Sequence, residues 1–271
     1  MNYLFEYGLW EQDYIVKELL PKGNVVNISN LEEYHSTCDV FAFSSRTHSY
    51  WSIKNLIKKI KPKIVIMLSD EFCDDNFYNF NALGYECELF LRNYNHQYYN
   101  YTKNTIVFPL GYTNDCQVYS SFKKYDWSFI GQIKSDRNEM LNTFSQLPLH
   151  YVSNQVPKKR MCEIYSQSYF VPCGRGNSSL DCFRLYEASM NGSIPVVVGP
   201  KDELEHTFKY EDNPPWVFAQ TWNEAFEICN DLLQDKFTLN DKTNEVQLWW
   251  SNRINKIKQK IQFVLVDSQS L

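Results

Sequence analysis

Three short stretches carry residue types that could grip and transfer a charged group. The first is PCGRGNSSLDCFRLYEASMNGSIPVVVGP, residues 172–200. An apolar run, 169–172, brings the chain to the carboxyl end of a strand. There Gly174 and Gly176 let the backbone approach a ligand and adopt positive φ. Arg175 between them offers a planar fork that matches phosphate oxygens. Ser178 and Ser179 follow on the same loop, and Ser178 with Asp181 has the spacing of a capping box that opens a helix at Leu180. The start of such a helix attracts anions. Arg184 and Glu187 then lie three apart and share a helix face. Two readings of that pair stand. It is a surface ion pair, or Glu187 accepts both hydroxyls of a ribose while Arg184 holds a phosphate.

The second stretch is DWSFIGQIKSDRNEM, residues 126–140. A strand ends in Gly131, and a short loop carries Lys134 and Arg137 into a helix. The corner is friendly to anions, and a routine strand-to-helix turn with solvated cations has the same composition. The third is KIVIMLSDEF, residues 63–72, a buried strand that delivers Asp70 and Glu71 to its carboxyl end. A carboxylate placed there can act as a general base, and a helix cap or loop salt bridge is the competing use. Glu6, Asp13 and the pair Arg46 and His48 are further candidates in the same half.

The elements that must position these residues alternate along the chain. In the first half the apolar runs 3–7, 24–28, 39–43, 63–68 and 105–110 read as strands, with helices over 13–20 and 50–60. In the second, strands over 127–130, 150–152, 169–172, 194–198 and 216–218 alternate with helices over 136–144, 158–167, 180–190 and 222–233. A helix over 245–264 follows. Gly192 suits the left-handed stop after the helix that carries Glu187. Alternation at this spacing gives parallel sheets covered by helices. The fold class is therefore α/β, with domains over 1–115 and 125–240, a polar linker over 110–125, and ligands at the carboxyl ends of the strands in a cleft between two facing sheets.

Composition narrows the function. With 27 Lys and Arg against 32 Asp and Glu, the net charge of −5 argues against a nucleic-acid partner. The one basic run, Lys54, Lys58, Lys59, Lys61 and Lys63, reads as the solvated face of a helix. The 16% aromatic content supplies core and, in part, faces for sugar rings. The eight cysteines contain no C-x-x-C and read as reduced thiols, although Cys173 and Cys182 bracket the Gly-Arg-Gly loop and could bridge it. No P-loop, dinucleotide fingerprint, G-x-S-x-G, H-E-x-x-H or spaced metal set occurs. No signal peptide or stretch of roughly 20 apolar residues is present, which leads us to expect a cytoplasmic protein without membrane insertion.

The segment YFVPCGRGNSSLDCFRLYEASMNGSIPVVVG resembles the nucleotide-sugar segment of the exostosin family, and FIGQIKSDR is similar to that family's upstream strand-Gly-loop-Arg element. The resemblance implies a GT-B fold and an inverting, metal-independent glycosyltransferase that uses a UDP-sugar, xylose being the leading donor, with a glycan or glycoprotein as acceptor. It implies that Glu187 binds ribose, that Arg184, Arg137 and Lys134 meet the diphosphate with Gly131, Arg175, Gly176, Ser178 and Ser179 around them, and that Asp70 is the base. Glu71, His48 and Arg46 are then expected to contact the acceptor. Animal members carry an N-terminal membrane anchor that this sequence does not show, which fits the soluble versions found in large algal viruses or bacteria. The alternatives are a non-catalytic nucleotide- or glycan-binding protein of the same fold, or a fucosyltransferase using GDP-fucose.

Overall fold

Apolar five-residue strands buried on both faces need a covering layer on each side, and parallel sheets with crossover helices supply it. The computed structural model describes residues 1–31, 34–46, 48–68, 79–95 and 101–266. The chain forms two units, one made of Met1–Pro109 together with the chain from Ile254, the other of Leu110–Arg253.

The first unit holds a six-stranded sheet in the order β2-β1-β3-β4-β5-β6. Its strands are β1 (Asn2–Glu6), β2 (Asn24–Ile28), β3 (Val40–Ser44), β4 (Ile64–Leu68), β5 (Leu89–Arg92) and β6 (Thr105–Val107). All pairings are parallel. A short helix α1 (Gln12–Tyr14) runs on as a π-helical turn, Ile15–Leu19. Helix α2 (Tyr50–Ile60) is capped by Ser49, whose Oγ accepts the Ser52 N–H at 3.1 Å. Its buried residues Ile53, Leu56, Ile57 and Ile60 recur at helical spacing and pack on Phe41, Phe43, Val65 and Met67. Lys58 and Lys59 point to solvent on the opposite face, and Lys54 pairs with Glu86 at 3.2 Å.

Strand β5 does not announce itself in the sequence. It is four residues long and ends in Arg92, a fully buried arginine where a strand reading expects an apolar residue. A 3₁₀ helix, Asn79–Glu86, precedes it.

The second unit holds a five-stranded parallel sheet in the order β11-β10-β9-β7-β8. The strands are β7 (Tyr125–Ile130), β8 (His150–Ser153), β9 (Ser168–Pro172), β10 (Ile194–Val198) and β11 (Val217–Ala219). The helices are α3 (Arg137–Phe144), α4 (Lys158–Ser166), α5 (Phe183–Met190), α6 (Lys201–Thr207) and α7 (Trp222–Gln234). Helix α6 escapes a periodicity reading because Leu204 is its one buried residue. The stretch taken as a linker is laced onto this unit: Lys123 Nζ donates to the carbonyls of Ser168 and Gly192, and the Tyr119 N–H to Asn191 Oδ1.

The last helix, α8 (Lys236–Val266), starts well before residue 245. Up to Arg253 it belongs to the second unit, where Trp249 Nε1 donates to the Glu211 carbonyl at 2.8 Å and Arg253 pairs with Glu211. From Ile254 it belongs to the first. No helix among the described residues is long and apolar enough to cross a membrane.

Candidate functional site

In each sheet the strand order reverses once, and that reversal opens a crevice at the carboxyl ends of the two strands that flank it. In the second unit these are β7 and β9, neighbours from which the chain departs to β8 on one side and to β10 on the other. Gly131 follows β7 and Gly174 lies just beyond β9, and each makes room for an arginine. A Cβ on Gly131, whose φ is +153°, would stand 3.1 Å from Arg184 Nη2. A Cβ on Gly174 would stand 2.6 Å from Arg137 Cγ.

Both guanidiniums lie over the ring of Phe129, Arg184 at 5.3 Å and Arg137 at 5.8 Å from its centroid. Arg137 is buried and clamps the two loops together: Nη1 donates to the Gln132 carbonyl at 2.7 Å and Nη2 to the Arg175 carbonyl at 2.8 Å. Its Nε is buried without a hydrogen-bond partner. Arg184 Nε donates to the Ile130 carbonyl at 3.2 Å. Among the described residues neither guanidinium forms an ion pair with a carboxylate. Burial lowers the proton affinity of Arg137, and the neighbouring charge of Arg184 lowers it further. The nearest soft partner is Cys182, 3.6 Å from Arg184 Nη1, a thiol held below its ordinary value first by the hydrogen bond from Cys173 and then by Arg184. Two adjacent cations of this kind, Arg137 buried and Arg184 half-buried, can seat a polyanion.

The loop after β9 differs from its sequence reading in three respects. Gly174 and Gly176 do not adopt positive φ; the glycines that do are Gly8, Gly111, Gly131 and Gly192. Gly174 is required by close approach to Arg137. The capping box does not form either. Asp181 is drawn inward, where it accepts the Tyr186 hydroxyl at 2.8 Å, so the chain stays extended through Cys182 and α5 opens at Phe183 with no side-chain cap. Its first amides are thereby left for another acceptor. Finally, Arg175 does not reach into open space: its fork grips Glu203 at 2.5 and 2.7 Å, and its amide donates to Asp136 Oδ1 at 3.2 Å. It braces the loop against α6. Gly176 donates its N–H to the Ser179 carbonyl, the Ser178 carbonyl accepts from Arg175, and Ser179 Oγ accepts the Asp181 amide. Lys134, on the loop after β7, donates to Asn177 Oδ1 and ties the two loops at their outer edge.

Arg184 and Glu187 do not pair with each other. The Glu187 side chain is 3% exposed. Its Oε1 accepts from Lys158 Nζ at 3.0 Å, from Thr113 Oγ1 at 3.0 Å and from the Thr113 amide at 3.4 Å. Oε2 accepts no bond from the described residues. Sequence reasoning missed both partners, since Lys158 reads as one cation among three at the start of α4 and Thr113 as linker. Gly192 takes the left-handed conformation expected after α5.

The first unit has a second polar cluster at its own reversal, between β1 and β3. Glu6 ends β1; its Oε2 accepts the Ser44 N–H at 2.6 Å and its Oε1 lies 3.1 Å from His48 Nε2. Arg46 is exposed on the same loop as His48. Tyr7 and Trp10, in the loop after β1, are 71% and 64% exposed. Glu11 beside them is buried, and burial pushes its carboxyl up to about 7 against the pull of its own amide, Arg46 and the Trp10 amide. Its burial has no signal in the run WEQD. Asp70 and Glu71 lie outside the described residues. Among the described residues no group of three or more His, Cys, Asp or Glu side chains could hold a metal ion.

No family model and no curated protein matches the sequence. Solved structures match the fold. Anabaena HepE in complex with UDP and glucose is similar over all of both chains, at 11% identity and a TM-score of 0.61. An alpha-glucosyltransferase in complex with UDP-glucose and DNA containing an abasic site is similar over 93% of this chain and 95% of that one, at 11% identity and a TM-score of 0.50. The UDP-GlcNAc 2-epimerase from Neisseria meningitidis bound to UDP-GlcNAc is similar over 97% of this chain and all of that one, at 8% identity and a TM-score of 0.50. The fold is GT-B, two Rossmann-like parallel-sheet domains.

Two predictions follow the geometry. Gly174→Ala drives a methyl into the stem of Arg137 and is expected to cost about 1–3 kcal/mol, read as a lower Tm. Glu11 is neutral in the fold up to about pH 7 and in the unfolded chain only up to about 4.5, so its contribution is fully present below 4.5 and lost as pH rises through 7. Denaturant titrations from pH 4.5 to 8 should show unfolding free energy falling by about 3 kcal/mol on this account, and Glu11→Gln should flatten that slope.

Proposed function

We propose that the chain is an inverting, metal-independent glycosyltransferase that moves a sugar from a UDP-sugar, with UDP-xylose the leading donor, to a hydroxyl of a glycan. The carrying observation is the pair of arginines, 137 and 184, lying over Phe129 without a carboxylate partner among the described residues, where the second sheet reverses. A diphosphate between the loops after β7 and β9 would supply the missing negative charge. As the bond from sugar to diphosphate breaks, charge grows on the leaving oxygens. Each well-placed donor is worth roughly 3–4 kcal/mol at that stage. The uncapped amides of α5 and the Lys134 ammonium extend the same field.

Glu187 is assigned to the ribose. Lys158 and Thr113 hold Oε1, which fixes the plane of the carboxylate and presents Oε2 to a pair of hydroxyls. In this reading residues 125–240 bind the donor and residues 1–115 the acceptor. The exposed rings of Tyr7 and Trp10 give a sugar acceptor a face to lie against. Support also comes from the exostosin-like segment around residues 169–199 and from the uridine nucleotides in the three fold relatives. The epimerase among them shows that the fold also carries a different sugar-nucleotide reaction, so products decide.

The test is calorimetric titration with UDP, GDP and pyrophosphate, followed by product analysis with UDP-xylose, UDP-glucose, UDP-galactose, UDP-glucuronic acid and GDP-fucose over a glycoside panel. UDP is expected to bind more tightly than GDP. Arg184→Ala should weaken UDP about 10–100-fold, the worth of a charge-assisted contact. Glu187→Gln should weaken UDP about tenfold and leave pyrophosphate binding as it was. UDP affinity untouched in Arg184→Ala would remove the donor seat from this place. Preference for GDP-fucose would select the fucosyl reading, binding without turnover the non-catalytic one, and an epimerised nucleotide sugar the epimerase chemistry.

A further inference from the structure

We propose that His48, oriented by Glu6, is the base that takes the proton from the acceptor hydroxyl. This rests on the glycosyl-transfer reading above and uses geometry that lies wholly within the first unit. Strands β1 and β3 are neighbours from which the chain departs to β2 on one side and to β4 on the other. Their carboxyl ends therefore flank the reversal crevice, where open α/β sheets bind ligands. Glu6 closes β1, and His48 lies just beyond β3.

The carboxylate is set before any ligand arrives. Oε2 of Glu6 accepts the Ser44 amide at 2.6 Å, which turns Oε1 toward the imidazole. His48 Nε2 stands 3.1 Å from that oxygen and is shut off from solvent. The contact is short but off the axis of a hydrogen bond, a misalignment that apo catalytic pairs often show and that a bound substrate tightens. With Nε2 directed at Glu6, Nδ1 is the nitrogen left to receive a proton. The side chain is 22% exposed, so a hydroxyl can reach it.

Among the described residues the other charged groups nearby are less suited. Arg46, on the same loop, is a cation. Glu11 is buried, with its carboxylate turned toward its own amide and that of Trp10. Histidine is also the side chain whose ordinary titration lies nearest neutral pH, which suits a base that must be regenerated each turnover. In the step itself the acceptor O–H bond breaks and its proton goes to Nδ1. The oxygen lone pair forms the bond to the anomeric carbon, and the bond from that carbon to the diphosphate breaks with its electron pair on UDP. The Glu6 carboxylate stabilises the imidazolium until it returns its proton to water.

The experiment measures initial rates against pH for the full chain, its His48→Asn, Glu6→Gln and Asp70→Asn variants. UDP-xylose and UDP-glucose serve as donors and methyl β-D-glucoside and water as acceptors. UDP affinity by calorimetry and Tm accompany each variant. Expected for His48→Asn is a fall in kcat of about 10²–10⁴-fold, loss of the acidic limb of the pH profile, and UDP affinity and Tm close to those of the parent. Glu6→Gln should lower kcat less than His48→Asn does, with UDP affinity and Tm again close to those of the parent. In Asp70→Asn the acidic limb should persist. A His48→Asn enzyme that keeps kcat and the limb, or an Asp70→Asn enzyme that loses the limb, overturns the assignment while leaving glycosyl transfer standing. A parent chain that binds UDP but turns over none of these pairs overturns both.

Discussion

Two guanidiniums, one buried and one half-buried, sharing one phenylalanine ring are the constraint on which the second unit turns. Like charges this close, without a carboxylate partner among the described residues, work against folding unless an anion or a compensating network meets them. The protein meets part of the demand with backbone carbonyls: those of Gln132, Arg175 and Ile130 accept from Arg137 and Arg184. Carbonyl dipoles orient the cations without neutralising them, which leaves their charge available to a ligand. Gly131 and Gly174 are where they are because any side chain there would displace an arginine. Arg175, by contrast, has a carboxylate of its own in Glu203, and its charge is already answered. The distinction between cations with and without a carboxylate partner therefore separates a candidate ligand-binding residue from a bracing one better than proximity to a glycine does.

The same topological device operates in both sheets. Each has one reversal of strand order, and each places a polar cluster at the carboxyl end of the two strands concerned. The strands themselves are chemically silent: β4 is buried at every position, and β3 and β10 nearly so. The polar clusters are gathered at the last residues of the strands and in the loops that follow, where backbone can vary without disturbing the core. In the second unit that cluster is cationic with one carboxylate, suited to a nucleotide. In the first it pairs an imidazole with an acid beside exposed aromatic rings, suited to a neutral hydroxylic molecule.

Much of the framework was legible because it depends on local physics. Strand β2, helix α2 and strand β10 have the bounds that periodicity and turn residues indicate, since a run of β-branched residues or an i, i+3, i+4 stripe has few other solutions. The misses share a cause. β5 ends in a buried arginine, α6 buries a single leucine, and the capping box at Ser178 lost its acid to Tyr186. In each case a tertiary partner decided the outcome, and no window of sequence contains that partner. The site divides in the same way. Gly131, Arg137, Arg184 and Glu187 stood out by type and spacing. Lys158 and Thr113, which hold Glu187, and Glu6, which holds His48, are remote in sequence from the residues they serve.

That remoteness bears on how Glu187, the carboxylate proposed for the ribose, would work. A buried acid on a short helix has freedom about its side-chain torsions and would bind a diol only after being ordered. Lys158 comes from α4 and Thr113 from the segment before β7, so Glu187 on α5 is held from two other parts of the unit. Both fix the same oxygen. The ion pair also compensates the burial of the carboxylate, which an isolated charge could not sustain. What remains is an oxygen whose position is set by the packing of α4 against α5, not by the ligand. Preorganisation of this kind lowers the ordering cost of binding, and under the proposed assignment it would make nucleotide affinity depend on the seating of α4, an element that need not touch the nucleotide at all.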